Sequence, residues 1–197
     1  MDGLAQTPNC HFIKLQMLSE RSGIAMAWWA SSKDDVLAFF RTDDAGEHWT
    51  SVVPNVTDSR YASACFTDLN RGVLVFNNDG RTYVTADGGK NWHALLATSI
   101  GPIIAFADHD VGWALGESKD NSRTARISYT SDGGQHWHSS ADIKFPTDEV
   151  KALKLSFPRR DRAYVIGPHG TIYRYRVVPV SYSAAKTLAA PLMPPVR

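Results

Sequence analysis

The chain has only 2 cysteines in 197 residues. Cys10 and Cys65 are too few for a dense disulfide framework or a cysteine zinc site, so one bridge or two free thiols remain. Long hydrophobic runs are missing too. The longest, Ile24 to Ala30, is far short of the roughly 20 residues that cross a bilayer, so no membrane insertion is expected. An excess of one charge is also absent, with 21 Lys plus Arg against 20 Asp plus Glu and a formal charge of +1. A balance this even gives no electrostatic ground for nucleic acid or anionic lipid as a partner. No phosphate loop, nucleotide fingerprint or Ser-His-Asp spacing occurs. The opening segment, MDGLAQTPNCHFIKL, lacks the basic start and apolar stretch of a secretory signal. An extracytoplasmic place, with the signal absent from this chain, is the expectation; a cytoplasmic one is the alternative.

Aromatics and turn formers are abundant: 6 Trp, 7 Tyr and 8 Phe beside 14 Gly and 10 Pro. That mixture favours an all-β protein. Three segments then align without gaps: Thr42-Asp43-Asp44-Ala45-Gly46-Glu47-His48-Trp49, Thr85-Ala86-Asp87-Gly88-Gly89-Lys90-Asn91-Trp92 and Thr130-Ser131-Asp132-Gly133-Gly134-Gln135-His136-Trp137. Each reads T-x-D-x-G-x-x-W. They recur every 43 and 45 residues, a spacing that suits four short strands with their turns. Before each motif, an apolar strand, a polar turn and a second apolar strand recur, at 12–18 and 23–27, 64–66 and 72–76, and 103–106 and 112–116. A fourth copy is expected at 150–155 and 163–167, with a turn at 158–162 and a third strand over 171–177, but it has no motif and no Trp.

Four strands per unit, with the motif as the turn between strands three and four, describe a propeller blade. An Asp in a turn accepts main-chain hydrogen bonds, Gly supplies the backbone freedom, and the Trp buries its ring against the blade. The fold class expected is therefore all-β: a β-propeller of about four four-stranded blades, the last incomplete. Blade limits are read as 11–54, 61–97, 102–141 and 150–178, within a domain of 1–180, followed by an Ala/Pro-rich tail over 181–197. Either Leu4 to Pro8 supplies the missing last strand and closes the ring, or the chain is half of a larger propeller completed by dimerisation. Monomer and homodimer both stay open.

The motif resembles the Asp-box, or bacterial neuraminidase repeat, of sialidases and of many noncatalytic propellers. With its G-[IVW]-A-x strands, the chain is similar to the photosystem II assembly and stability factor family and its bacterial relatives. The resemblance implies an assembly or binding role. It also raises a sialidase-like glycoside hydrolase or a lectin as the rival reading, although the Arg-Ile-Pro segment of sialidases is missing.

The residues Asp44, Gly46, Trp49, Asp87, Gly89, Trp92, Asp132, Gly134 and Trp137 are read as fold-stabilising. No catalytic residue, metal ligand or cofactor is expected; His136 with His138, and His109 between Asp108 and Asp110, are read as polar surface. Partner binding is assigned to loops on one face, which include 77–80, 98–102 and a long insertion from Glu117 to Arg123. The candidate residues are Trp28, Trp29, Arg60, Arg81 and Arg123. The expected function is a noncatalytic module recognising another protein, or a glycan, through a preformed rim.

Overall fold

Turn residues divide the chain into consecutive hairpins. The computed structural model describes residues 10–30, 35–56, 62–77, 79–118, 121–144, 153–167 and 170–176. The first sheet contains β1 (Cys10–Met17), β2 (Gly23–Ala30), β3 (Asp35–Thr42) and β4 (Thr50–Val52). The second contains β5 (Ala62–Phe66), β6 (Gly72–Phe76), β7 (Arg81–Thr85) and β8 (His93–Ser99). The third contains β9 (Ile103–Phe106), β10 (Gly112–Ser118), β11 (Asn121–Thr130) and β12 (His138–Lys144). The last contains β13 (Lys154–Arg159), β14 (Arg162–Ile166) and β15 (Ile172–Arg176). Every sheet is an antiparallel meander in chain order, and together they form a four-blade β-propeller in which the last blade has three strands.

Two details differ from the sequence expectation. The first strand of blade 4 lies later than 150–155 because Phe157, 4% exposed, packs on Trp113 of blade 3 at 5.1 Å. Burying that ring extends the strand to Arg159, and a register shift between Ser156 and Arg159 accommodates Pro158, which has no N–H for the ladder. The stretch from Glu117 to Arg123 is not a looped insertion. β10 extends to Ser118 and β11 begins at Asn121, pairing Glu117 with Ala125 and Ser118 with Asn121 across a bulge. Leu4 to Pro8 and the tail over 181–197 lie outside the described residues.

Adjacent blades share apolar cores because strand residues alternate between the two faces of a sheet. Ile24, Met26 and Phe39 of blade 1 pack with Phe66, Leu74, Phe76 and Trp92 of blade 2. Cys65, Val73 and Val75 of blade 2 meet Ile104 and Ala114 of blade 3. Leu115, Ala125 and Ile127 of blade 3 meet Leu153 and Val165 of blade 4. The inner strands of blades 1 and 2 are also clipped together. Lys14 Nζ donates to the Ala64 carbonyl at 2.9 Å, while Gln16 exchanges a pair of hydrogen bonds with the Phe66 backbone. Cys10 and Cys65 are both free thiols, and Cys65 is buried. Among the described residues, no core cluster joins blade 4 to blade 1.

Candidate functional site

The three box turns share one hydrogen-bond plan. Thr42 Oγ1 donates to Asp44 Oδ1 at 2.8 Å and accepts from Gly46 N at 2.9 Å. The pairs Thr85 with Asp87 and Thr130 with Asp132 repeat it. Each Asp then accepts from the backbone N–H four residues on, at 2.9 to 3.0 Å. Its second oxygen meets the side chain of the same residue: His48 at 2.6 Å, Asn91 at 2.7 Å and His136 at 2.6 Å. The indole N–H of each Trp closes the turn on the carbonyl of the box Gly, at 2.9 to 3.0 Å.

These bonds keep the carboxylates ionised. The Asn91 backbone N–H and side-chain amide bring Asp87 down to about 2. The His48 N–H, its ring and the Thr42 hydroxyl hold Asp44 well below the usual range. Burial pushes Asp132 upward, but the His136 backbone and ring and Thr130 outweigh it and leave the group lowered. Each box also bonds the first hairpin of its own blade, through Ala45 N to Arg21 O, Gly88 N to Asn70 O and Gly133 N to Asp110 O. Box turns and first hairpins therefore share one face of the propeller.

The box glycines differ in what lies beside them. Gly46, Gly89 and Gly134 all have φ of 91°, where a side chain is strained. A Cβ on Gly89 would stand 3.1 Å from Phe39 of blade 1, and one on Gly134 would stand 2.5 Å from Val73 of blade 2. A Cβ on Gly46 would meet nothing nearer than its own Trp49 at 3.6 Å. Boxes two and three thus wedge against the preceding blade. Trp92 is buried beside Phe39 and Phe66, whereas Trp49 and Trp137 are half-buried.

The opposite face carries the strand ends where β2 and β3, β6 and β7, β10 and β11, and β14 and β15 pair last, at Ala30, Val75, Ser118 and Ile166. Beneath this rim lies a cavity of about 540 Å³. Inner strands of all four blades line it, through Ile13 and Lys14, Ser63 and Ala64, Ile103 and Ile104, and Leu153, Lys154 and Leu155; Met26, Asn77 and Pro102 complete the wall. Among the described residues the lining is mostly apolar, with Lys14 and Lys154 as its charged members and no carboxylate, imidazole or thiol.

Of the sequence candidates, Trp28 and Trp29 share blade 1, while Arg81 and Arg123 lie in blades 2 and 3. Trp28 and Trp29 are on β2; Trp28 is half-buried and stacks on His11 with centroids 4.4 Å apart. Arg81 opens β7, paired with Asp79 at 2.6 Å and lying 4.9 Å over the Phe76 ring. Arg123 is on β11, and Arg60 falls outside the described residues. The strands that carry the described candidates belong to three different blades. The histidine and aspartate groups weighed for metal take other roles. His138 lies 5.3 Å from the Tyr129 ring, away from the His136–Asp132 pair. Asp108 accepts from the backbone N–H groups of Asp110 and Val111 and from Arg160 Nε and Nη2 of blade 4. Among the described residues, no group of three His, Cys, Asp or Glu is placed to hold a metal ion, and no helix is long and apolar enough to cross a membrane. Sequence reasoning missed Lys14 and Lys154, whose alternation with apolar neighbours in β1 and β13 was the available signal.

No family model matches the chain, and no curated protein matches it. Solved structures similar to it include two of YCF48. One is YCF48 bound to D1 peptide, 13% identical, covering 86% of this chain and 93% of that one with a TM-score of 0.30. The other is YCF48 from Cyanidioschyzon merolae, 14% identical, covering 88% and 69% with a TM-score of 0.44.

Proposed function

We propose that the chain is a noncatalytic binding module that takes a protein partner on the rim opposite the box turns. The observation that carries this reading is the cavity beneath that rim, ringed by inner strands of all four blades and lined, among the described residues, by apolar side chains with Lys14 and Lys154. Glycoside hydrolysis, the main rival, requires two carboxyl groups flanking the scissile bond. The repeated carboxylates Asp44, Asp87 and Asp132 sit on the other face, each engaged by its own turn. A rim held by four sheets loses little conformational entropy on association, with Trp28, Trp29, Arg81 and Arg123 placed around it and the cavity lysines available to a partner's anionic group.

The test is to place a photo-crosslinking residue at Trp28 or Arg81 on the rim, and at Glu47 or Gln135 on the box face, in the producing cell. Adducts with one protein from the rim positions alone support the reading. Equal adducts from both faces overturn it, as does turnover of a fluorogenic sialoside by the purified chain. Binding on a glycan array without turnover would replace the protein partner with a sugar.

A further inference from the structure

Three blade interfaces use both faces of blades 2 and 3 but one face each of blades 1 and 4. In blade 4, Ala163 pairs with Tyr175 and Val165 with Tyr173 on the face toward blade 3, where Tyr175 and Phe157 pack on Trp113. Alternation leaves the other face to Lys154 and Ser156 of β13, Arg162, Tyr164 and Ile166 of β14, and Ile172, Arg174 and Arg176 of β15. Across the strands, Arg162 stands directly opposite Arg176, Tyr164 opposite Arg174 and Ile166 opposite Ile172.

Like charges placed opposite one another in a sheet destabilise it. Here nothing offsets them. Lys154, Arg162, Arg174 and Arg176 are exposed, and none of the four has a hydrogen bond or ion pair among the described residues. Among the described residues the face carries no acidic side chain, and Asp161 in the adjoining turn is engaged by Arg159 at 3.6 Å. Lys154 also lines the central cavity, so the cationic face runs from the cavity outward.

Blade 1 does not supply the missing complement. Its outer face holds a small core of its own, Ala25, Ala27, Ala38 and Phe40, over which Phe12, Leu15 and Met17 remain 54%, 62% and 48% exposed, in register with Ala27, Ala25 and Gly23. Pressing that apolar surface onto blade 4 would bury unpaired cations, which is strongly unfavourable. The same objection applies to blade 1 of a second copy arranged head to tail. A complementary occupant has to bring carboxylates.

We propose that the bare face of blade 4 docks an acidic, extended polypeptide segment of a partner protein, whose carboxylates pair with Lys154, Arg162, Arg174 and Arg176. Residues two apart on a strand recur about every 6.6 Å, so acids at alternate positions of an extended segment match the ladder of β14 and β15. The Ile166–Ile172 pair, 43% and 64% exposed, needs an apolar cover that a polypeptide supplies and a phosphodiester backbone does not. A chain of formal charge +1 also lacks the broad positive field that nucleic acid selects. This flank shares only Lys154 with the cavity beneath the rim, and the variants at Arg162, Arg174 and Arg176 lie outside that cavity, so its failure would leave the rim reading standing.

The test is fluorescence anisotropy at low salt with a labelled twelve-residue peptide of alternating Glu and Val. Its Gln-for-Glu counterpart and a twelve-nucleotide oligothymidylate serve as comparisons. The full chain is expected to bind the Glu peptide and not the Gln peptide. Arg162→Glu with Arg176→Glu should weaken binding about tenfold, while the charge-matched pair Arg21→Glu with Arg71→Glu leaves it unchanged. Arg174→Gln, a milder change, should weaken it about threefold and keeps the test open if the double reversal does not fold. No binding of the Glu peptide, equal weakening by both double variants, or tighter binding of oligothymidylate would overturn the proposal.

Discussion

Replacing the box glycines by alanine, one at a time, separates backbone strain from the wedge between blades. All three share φ of 91°, so the penalty for a Cβ in the left-handed region, about 1–2 kcal/mol, is common to them. The surroundings are not common. On Gly134 the new methyl would stand 2.5 Å from Val73 Cγ2; Val73 is fully buried, and its β-branched side chain has little rotamer freedom. Overpacking of that kind adds about 1–3 kcal/mol. On Gly89 the nearest atom is Phe39 Cδ2 at 3.1 Å, and on Gly46 it is Trp49 at 3.6 Å. Gly46→Ala should therefore cost about 1–2 kcal/mol and Gly134→Ala about 2–5 kcal/mol, with Gly89→Ala between. For a chain of this size, each kcal/mol lowers the melting temperature by about 2–4 °C. Urea titration followed by tryptophan fluorescence, with calorimetry beside it, reads the order directly. Equal losses at the three positions would refute the wedge. A largest loss at Gly46 would mean that blade 1 has a neighbour where the structure leaves it bare.

Acid should weaken the fold through the same turns. Asp87 has a folded value of about 2, below the ordinary carboxylate value, so its ionised form stabilises the native state above the unfolded pKa and that contribution is lost as pH falls. The urea midpoint should drop between about pH 5 and pH 2, less steeply in Asp87→Asn; an identical slope in that variant would contradict the assignment. At the junction of blades 3 and 4, Asp108 caps its own hairpin as well as accepting from Arg160. Asp108→Ala should cost about 1–2 kcal/mol through lost turn hydrogen bonds, whereas Arg160→Ala, which removes only an exposed ion pair, should cost less, and less still in high salt; the reverse order in thermal melts would count against the cap. Burial pushes the Cys65 thiol upward, so Ellman's reagent should label Cys10 in the native protein and Cys65 only on unfolding. Two fast thiols would show that the core between blades 2 and 3 is open.

The fold was legible because its determinants are local. Thr, Asp, Gly and Trp at fixed offsets build a turn whose Thr, Asp and Trp side chains all find their partners within eight residues, so the pattern in the sequence and the object in space are nearly the same thing. Even the departure at Ala45 stays within that logic, with a φ of 65° where the other boxes have Gly88 and Gly133. The limits of blade 4 were harder to read because it has no box. Phe157 was needed to fix its first strand, and Phe157 acts through Trp113, more than 40 residues earlier in the chain.

The candidate site was less legible, for a reason that applies to every propeller blade. Alternation assigns residues to the two faces of a strand, and that much can be read from Arg162 and Tyr164, or from Tyr173-Arg174-Tyr175-Arg176. It does not say which face meets a neighbour. Tyr173 and Tyr175 are interface residues because Val165, Ala163 and Trp113 lie on their side. Arg174 and Arg176 are bare because no core cluster among the described residues lies on theirs. Arg81 shows the converse: a conspicuous arginine in the sequence already has a carboxylate and an aromatic ring as partners. A cation's availability depends on what the rest of the chain places beside it, so arginines chosen by position in loops and arginines left over by packing are different sets.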